Sequence, residues 1–352
     1  MRLPTAAACL TAALLLAACS SAGNPKASPS PSGRATALGS APPAGGAPAT
    51  VQTLQDAFVS VARKVLPSVV QIRTDSGLGS GIVFDGSGDV VTNAHVVADA
   101  SSFQVTFADG RSHSASLVGG FVPDDLAVVR VSGAGGSLHP ATFADSAKLQ
   151  VGDLVMAVGN PLGLQSSVTE GIVSATGRTV SEGNGVIIPD AIQTSAAINP
   201  GNSGGALVDL NGNVVGIPTL AATDPQLGGG AAPGIGFAIP SNTVRDIAAQ
   251  LIANGGHVTN SHRAYLGIRA ATVTGGGVLI SSVTAGGPAD SAGLQAGDVI
   301  VSIDGTDTPD SEALTQLLAT LKPGDVARVS VVRADGSQQT VNVTLGEIPG
   351  GG

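Results

Sequence analysis

Ser203 lies in the run Gly201-Asn202-Ser203-Gly204-Gly205. A serine hydroxyl is a weak nucleophile, so attack on a carbonyl needs a base beside it, a group that orients the base, and donors aimed at the developing oxyanion. The flanking glycines let the backbone bend so that the amides of Gly201 and Ser203 can converge on one oxygen. The base is sought among five histidines, at 95, 113, 139, 257 and 262. His95, in Val90-Val91-Thr92-Asn93-Ala94-His95-Val96-Val97, stands just past an expected strand, whereas the others fall in turn, loop or linker sequence. Asp125, in Pro123-Asp124-Asp125-Leu126-Ala127-Val128-Val129, opens an apolar strand. A carboxylate there can hold His95 in the right tautomer and stabilise the imidazolium, with adjacent Asp124 as its competitor. Taken singly, each feature has a plain structural reading: a Gly-Ser turn, a satisfied histidine, a strand-end acid. Together, in the order His, Asp, Ser, they point to nucleophilic acyl transfer.

Short strands position these residues. Candidates are Val69 to Ile72, Gly81 to Phe84, Val90 to Thr92, Phe103 to Phe107, Leu126 to Val131, Leu154 to Val158, Gly171 to Ala175, Ala206 to Val208 and Val214 to Ile217, with Asp109-Gly110 and Asn211-Gly212 as turns. So many short strands over some 170 residues predict one or two closed barrels. Before them, Leu54, Phe58, Val61, Ala62 and Val65 recur at helical spacing until Pro67. After them, Val244, Ile247, Ala248, Leu251 and Ile252 form a second helical face ended by Gly255-Gly256. A further unit combines a helix over Ser311 to Leu321, capped by Asp310 or Ser311, with strands Val329 to Arg333 and Thr340 to Leu345.

Composition narrows the function. The 352 residues carry 16 Lys and Arg against 25 Asp and Glu, a formal charge of −9, so no basic surface is available for nucleic acid or an anionic membrane. The two cysteines, Cys9 and Cys19, both precede residue 20, which leaves the folded part without a disulfide framework or thiolate metal set. Gly228-Gly229-Gly230 lacks the Lys-Ser/Thr of a nucleotide loop, and no cofactor is expected. Arg2 followed by the apolar run Thr5 to Ala18 reads as a targeting segment. Residues 20–52, rich in Pro, Ser, Ala and Gly, read as a disordered tether.

At these motifs the sequence resembles the high-temperature-requirement A (HtrA/Deg) family of trypsin-fold serine proteases with C-terminal PDZ domains. The likeness is carried by VVTNAHVV (90–97), DLAVVRV (125–131), GNPLGL (159–164), GIVSATGR (171–178), INPGNSGGAL (198–207), GIGFAIPS (234–241), YLGI (265–268) and AGLQAGDVIVSIDG (292–305). The triad order is that of chymotrypsin, not of subtilisin or the α/β-hydrolases. The resemblance implies a mainly β chain: a chymotrypsin-like double six-stranded β-barrel followed by one α+β PDZ domain. The boundaries expected are a signal peptide over 1–19, the tether, a protease domain over 53–242, a helix and linker over 243–261, a PDZ domain over 262–346 and a flexible tail over 347–352.

It further implies an extracytoplasmic endopeptidase for unfolded or damaged envelope proteins. His95 serves as base then acid, Asp125 orients it, Ser203 attacks, and Gly201 and Ser203 form the oxyanion hole. Ala197, six residues before Ser203, falls at the base of the specificity pocket; with Ile198 and Ile217 it predicts cleavage after Val, Ala, Ile or Leu. Tyr265, Leu266, Gly267 and Ile268 match the PDZ loop whose amides bind a hydrophobic C-terminus. Leu16-Ala17-Ala18-Cys19 resembles a lipobox, implying a lipid anchor at Cys19 in the membrane; ordinary secretion is the alternative. Arg178 falls in the family's sensor loop. Ser195 replaces a common Asp, and Phe58 is the only aromatic before Phe84 for the family's N-terminal trimer contact. Two other readings stay open: a non-catalytic PDZ peptide-binding chaperone, and a signalling protease with one regulatory substrate.

Overall fold

The computed structural model describes residues 49–350 except 161–165, 184–185, 200 and 225–229. The targeting segment, Cys19 and nearly all of the tether lie outside the described residues. Helix α1 (Ala49–Val65) stops two residues before Pro67, close to where its periodicity predicts, and buries Val61 and Val65 against the core. The first sheet comprises β1 (Val69–Thr74), β2 (Leu78–Val83), β3 (Asp89–Thr92), β4 (Phe103–Thr106), β5 (Ser112–Phe121) and β6 (Leu126–Val131), and closes in the order β1-β2-β3-β6-β5-β4. Alternating Val and Ile side chains from these strands fill its interior, with Ile72, Val83, Val90 and Val129 fully buried.

The second sheet comprises β7 (Leu154–Gly159), β8 (Ser167–Gly183), β9 (Val186–Thr194), β10 (Ala206–Asp209), β11 (Val214–Asp224) and β12 (Gly230–Pro240), closing in the order β10-β11-β12-β9-β8-β7. Three of these twelve strands, β5, β9 and β12, are absent from the strands expected from sequence. β5 reads SHSASLVGGF, too rich in Ser and Gly to show a strand pattern, yet closure forces it to pair with both β4 and β6. Short helix α2 (Ala94–Val97) follows β3, and α3 (Ser241–Ala253) buries Val244, Ile247, Ala248 and Leu251 in the core shared by both sheets.

The last unit contains β13 (Ala264–Tyr265), β14 (Ile268–Thr272), β15 (Val278–Val283), α4 (Pro288–Ser291), β16 (Val299–Ile303), β17 (Thr306–Asp307), α5 (Ser311–Leu318), β18 (Val326–Val332), β19 (Gln338–Thr344) and β20 (Gly346–Glu347). Its sheet runs β14-β15-β16-β18-β19 around a separate core that includes Leu266, Ile280, Ile300, Leu314 and Val329. Asp310 caps α5 by accepting from Ala313 N at 2.8 Å.

Two expectations need correction. The segment from 347 is not a free tail up to Ile348: β20 pairs with β13, Glu347 Oε1 accepts from His262 N at 2.8 Å, and Ile348 N donates to Arg263 O at 3.0 Å. The helix expected from 243 begins at Ser241, and the linker after it is held in place. Val258 is buried, and Gln250 Oε1 accepts from Thr259 N and Asn260 N at 3.0 and 2.8 Å.

Candidate active site

Asp125 is the residue on which the first half of the site is built. It closes the turn Val122–Asp124 with φ 49° and ψ 43°, a left-handed conformation that a non-glycine residue adopts only when its surroundings hold it. Those surroundings are the loop that carries His95. Asp125 O accepts from Ala94 N at 3.0 Å and from Asn93 Nδ2 at 3.1 Å. Asp125 Oδ1 accepts from His95 N at 2.9 Å, and Oδ2 lies 2.8 Å from His95 Nδ1. The Asp125 side chain is 3% exposed and that of His95 48%, so a buried anion orients an imidazole open to solvent. The competitor, Asp124, is turned away and buried in an ion pair with Arg263.

The serine loop is fastened to the first sheet. Ser80 on β2 donates its amide to Ser203 O at 3.0 Å and its hydroxyl to Gly201 O at 2.5 Å, while accepting from Asn160 N at 2.8 Å. Gly204 has φ +78°, and a Cβ on it would stand 2.2 Å from Ser80 O and 2.4 Å from Thr92 Oγ1. The glycine after Ser203 is therefore required by the approach of β2 and β3. Gly201 has φ 108°, again glycine backbone. Asn202 braces the loop from inside, accepting from Asn199 N at 3.1 Å and donating to Ala197 O at 3.0 Å.

Thr219 on β11 joins the two halves, and sequence reasoning missed it. Ser203 Oγ donates to Thr219 O at 3.1 Å, and Thr219 Oγ1 donates to Asp125 Oδ2 at 2.8 Å. Glu182 on β8 was also missed; its Oε1 contacts Thr219 Oγ1 from the other side. Neither sits in a motif, and only the closure of the sheet that holds both β8 and β11 brings them here. Burial, then the charge of Asp125, pushes the Glu182 carboxyl up to about 7 against the opposing pull of Thr219 and His95. Burial works to lower the pKa of His95, but the hydrogen bond and charge of Asp125, with the charge of Glu182, outweigh it and hold the imidazole above its ordinary value. Donor atoms of His95, Asp125 and Glu182 lie within 4.8 Å of one another. Each is engaged with another of the group or with Thr219, which suits proton transfer better than metal ligation.

The remaining predicted residues are spread over the molecule. Ala197 is exposed beside the serine loop, with its carbonyl also accepting from Thr169 Oγ1 at 2.8 Å. Ile198 is buried with Ala196 and Ile192, whereas Ile217, 0% exposed, packs in the central core. Ser195 Oγ accepts from Ile172 N at 3.0 Å, tying β8 to the end of β9. Arg178 is exposed on β8 opposite Ala191. Phe58 packs against the core of its own chain. Tyr265 pairs with Gly346, Leu266 is buried, Gly267 has φ +78°, and Ile268 opens β14, a strand that ends its sheet and is paired only with β15 in the strand order.

A trypsin-like peptidase domain is matched over residues 79–217 and a PDZ domain over residues 264–345. The chain is 40% identical over 311 residues to the serine protease PepD of Mycobacterium tuberculosis, covering 82% of this chain and 65% of that protein. It is 39% identical over 331 residues to the chloroplastic protease Do-like 1 of Arabidopsis thaliana, covering 85% of this chain and 73% of that one. The solved structure of the HtrA-type protease AlgW with a decapeptide superposes with a TM-score of 0.58 at 30% identity, over 83% of this chain and 99% of that one. The chain belongs to the HtrA/Deg family. Its HtrA membership accounts for both halves, the trypsin-like domain with the site and the PDZ unit behind it. The chain spans only 65% of PepD and 53% of a DegP-like periplasmic endoprotease of Brucella suis. Among the described residues, no helix is long and apolar enough to cross a membrane.

Proposed function

We propose that the protein is an HtrA-like serine endopeptidase that hydrolyses unfolded or damaged proteins outside the cytoplasm. The observation that carries the reading is the bidentate grip of buried Asp125 on the amide and Nδ1 of His95, at 2.9 and 2.8 Å. In the reaction, the Ser203 hydroxyl leaves Thr219 O, gives its proton to His95 Nε2 and forms an acyl-enzyme; His95, held by Asp125, then protonates the leaving amine and activates water. The amides of Gly201 and Ser203 stabilise the oxyanion, a contribution of about 10²–10³ in turnover per donor. The two closed sheets serve as the paired barrels of the trypsin fold, with the protease domain over 53–242 and the PDZ domain over 262–346.

Ala197 and Ile198 favour a small apolar residue before the scissile bond, since neither offers a carboxylate to an Arg or Lys. At the PDZ domain the free edge of β14 accepts a hydrophobic C-terminus as an added strand, its carboxylate on the loop from Tyr265 to Ile268. Arg178 couples that occupancy to the oxyanion hole. Cys19 carries the lipid that holds the protein to the membrane, and α1, with Val51, Leu54 and Val59 exposed, takes part in a homotrimer. The periplasmic relatives support an extracytoplasmic setting.

Degradation of casein tests the reading. The wild-type chain should digest casein, alone or with a peptide ending in a hydrophobic carboxylate, and Ser203→Ala should abolish digestion. A silent wild type under both conditions favours the peptide-binding chaperone instead. Product ends after Arg as often as after Val or Ala would remove the apolar pocket. Unchanged peptide activation in Arg178→Ala would remove the sensor role.

A further inference from the structure

Hydrogen accounting at Thr219 leaves one group unexplained by the triad. Thr219 Oγ1 has a single hydrogen to give, yet it contacts both Asp125 Oδ2 and Glu182 Oε1. Asp125 Oδ2 already faces His95 Nδ1 at 2.8 Å. With both acids ionised, one hydroxyl hydrogen would serve two carboxylates, and one of them would meet a lone pair. With a proton on Glu182 these contacts are satisfied in one direction, Glu182 to Thr219, Thr219 to Asp125 and His95 to Asp125, and the same proton relieves the direct approach of the Glu182 and Asp125 carboxyls.

Resting on the protease reading above, we propose that Glu182 is a positioning residue of the triad: as a neutral carboxyl it donates to Thr219 Oγ1, which gives its own hydrogen to Asp125 Oδ2 and fixes the carboxylate that orients His95. The surroundings favour the neutral form. The charges acting on Glu182 are Asp125, which opposes its ionisation, and His95. β9, hydrogen-bonded alongside, places Ile187 and Val186 opposite Ser181 and Gly183. α5 also touches β8, but its Glu312 accepts from Gln316 of the same helix at 3.2 Å. On β8 itself the other charged side chains are Glu170 and Arg178.

The arrangement dictates a pH response. At low pH His95 is protonated and cannot take the Ser203 proton, so turnover rises as pH rises. At higher pH Glu182 ionises, competes with Asp125 for the single Thr219 hydrogen and repels the Asp125 carboxylate, so turnover falls again. The two titrations are those of a coupled pair and not of either residue alone.

The test measures kcat and kcat/KM against pH on a chromogenic peptide for the wild-type chain, Glu182→Gln and Glu182→Ala, with the His95 ring titrated by NMR in each. The Gln amide can still donate to Thr219 but cannot ionise. Wild type should lose roughly threefold or more of its maximal turnover on the alkaline side, and Glu182→Gln should lose that limb. The His95 ring in wild type should show a second chemical-shift step as Glu182 ionises, and Glu182→Gln should lose that step. Glu182→Ala, lacking any donor, should lose about tenfold in kcat with KM little moved, and Gln should restore most of it. Superimposable pH profiles and a His95 titration curve that is the same in wild type and Glu182→Gln, in an active enzyme, overturn this proposal alone. Absence of turnover in the wild type at every pH overturns the protease reading, and this role with it.

Discussion

At the residue scale, the site depends on one buried carboxylate with a specified set of donors. Replacing Asp125 by Asn keeps the shape but presents an amide to His95 Nδ1, favouring the wrong tautomer; kcat should drop by about 10⁴ while the fold is retained, as turnover and thermal unfolding would report. Glu182 gives a stability signature of its own. Its carboxyl is raised from 4.5 to about 7, so the folded chain keeps a proton that the unfolded chain releases. Its stabilisation is therefore present below the ordinary carboxylate range and is lost as pH rises through about 7. Glu182→Gln should accordingly raise Tm relative to wild type more at pH 8 than at pH 5, and a pH-independent difference would count against the buried proton. The pairing of His95 with Asp125 was readable from sequence because one stands just past a strand and the other opens an apolar strand beside it, and the structure sets them 2.8 Å apart. Thr219 and Glu182 were not, since a threonine and a glutamate in polar β sequence announce nothing until the sheet closes.

At the scale of elements, loops and strands join His95, Asp125 and Ser203 across two sheets. The Ser203 loop is bound to β2 through Ser80, and Gly204 lets that strand approach. Gly204→Ala would place a methyl group within 2.2 Å of the Ser80 carbonyl at a φ of +78° that alanine disfavours. The variant should unfold at a clearly lower temperature and lose turnover together, because relieving the clash moves Ser203. Helices α1, α3 and α5 were readable from their 3.6-residue apolar spacing, although α5 stops at Leu318 and not at Leu321, and of the two cap candidates, Asp310 and Ser311, the structure selects Asp310. Strands β5, β9 and β12 were not, because Ser, Gly and Pro within them break the alternation, and pairing on both sides supplies what local propensity lacks.

For the whole molecule, the PDZ unit is pinned to the trypsin-like domain beside Asp125. Arg263, immediately before β13, is buried; it pairs with Asp124 and donates to Ile187 O and Pro123 O at 2.9 and 3.2 Å. Removing one member of a buried pair strands the other, at a cost of about 3–5 kcal/mol. Arg263→Met should therefore lower Tm substantially, and Arg263→Met with Asp124→Asn should recover part of the loss in a double-mutant cycle. Additive losses would show that the contact is not energetic. The two-domain order was readable from the change in period near residue 243, but the junction was not. The Gly-His-Val-Thr-Asn-Ser-His stretch reads as a domain boundary, and nothing in it announces that Val258 is buried or that Ile348 packs back on the same core.

The central claim is that Ser203 is a nucleophile activated by His95. The most direct measurement is the mass of the chain after exposure to a fluorophosphonate, with the modified peptide sequenced, in the presence of a peptide ending in a hydrophobic carboxylate. One adduct on Ser203 in the wild type, lost in His95→Ala although that variant remains folded, is the predicted result. No adduct, an adduct on another serine, or labelling of Ser203 that does not depend on His95 would contradict it.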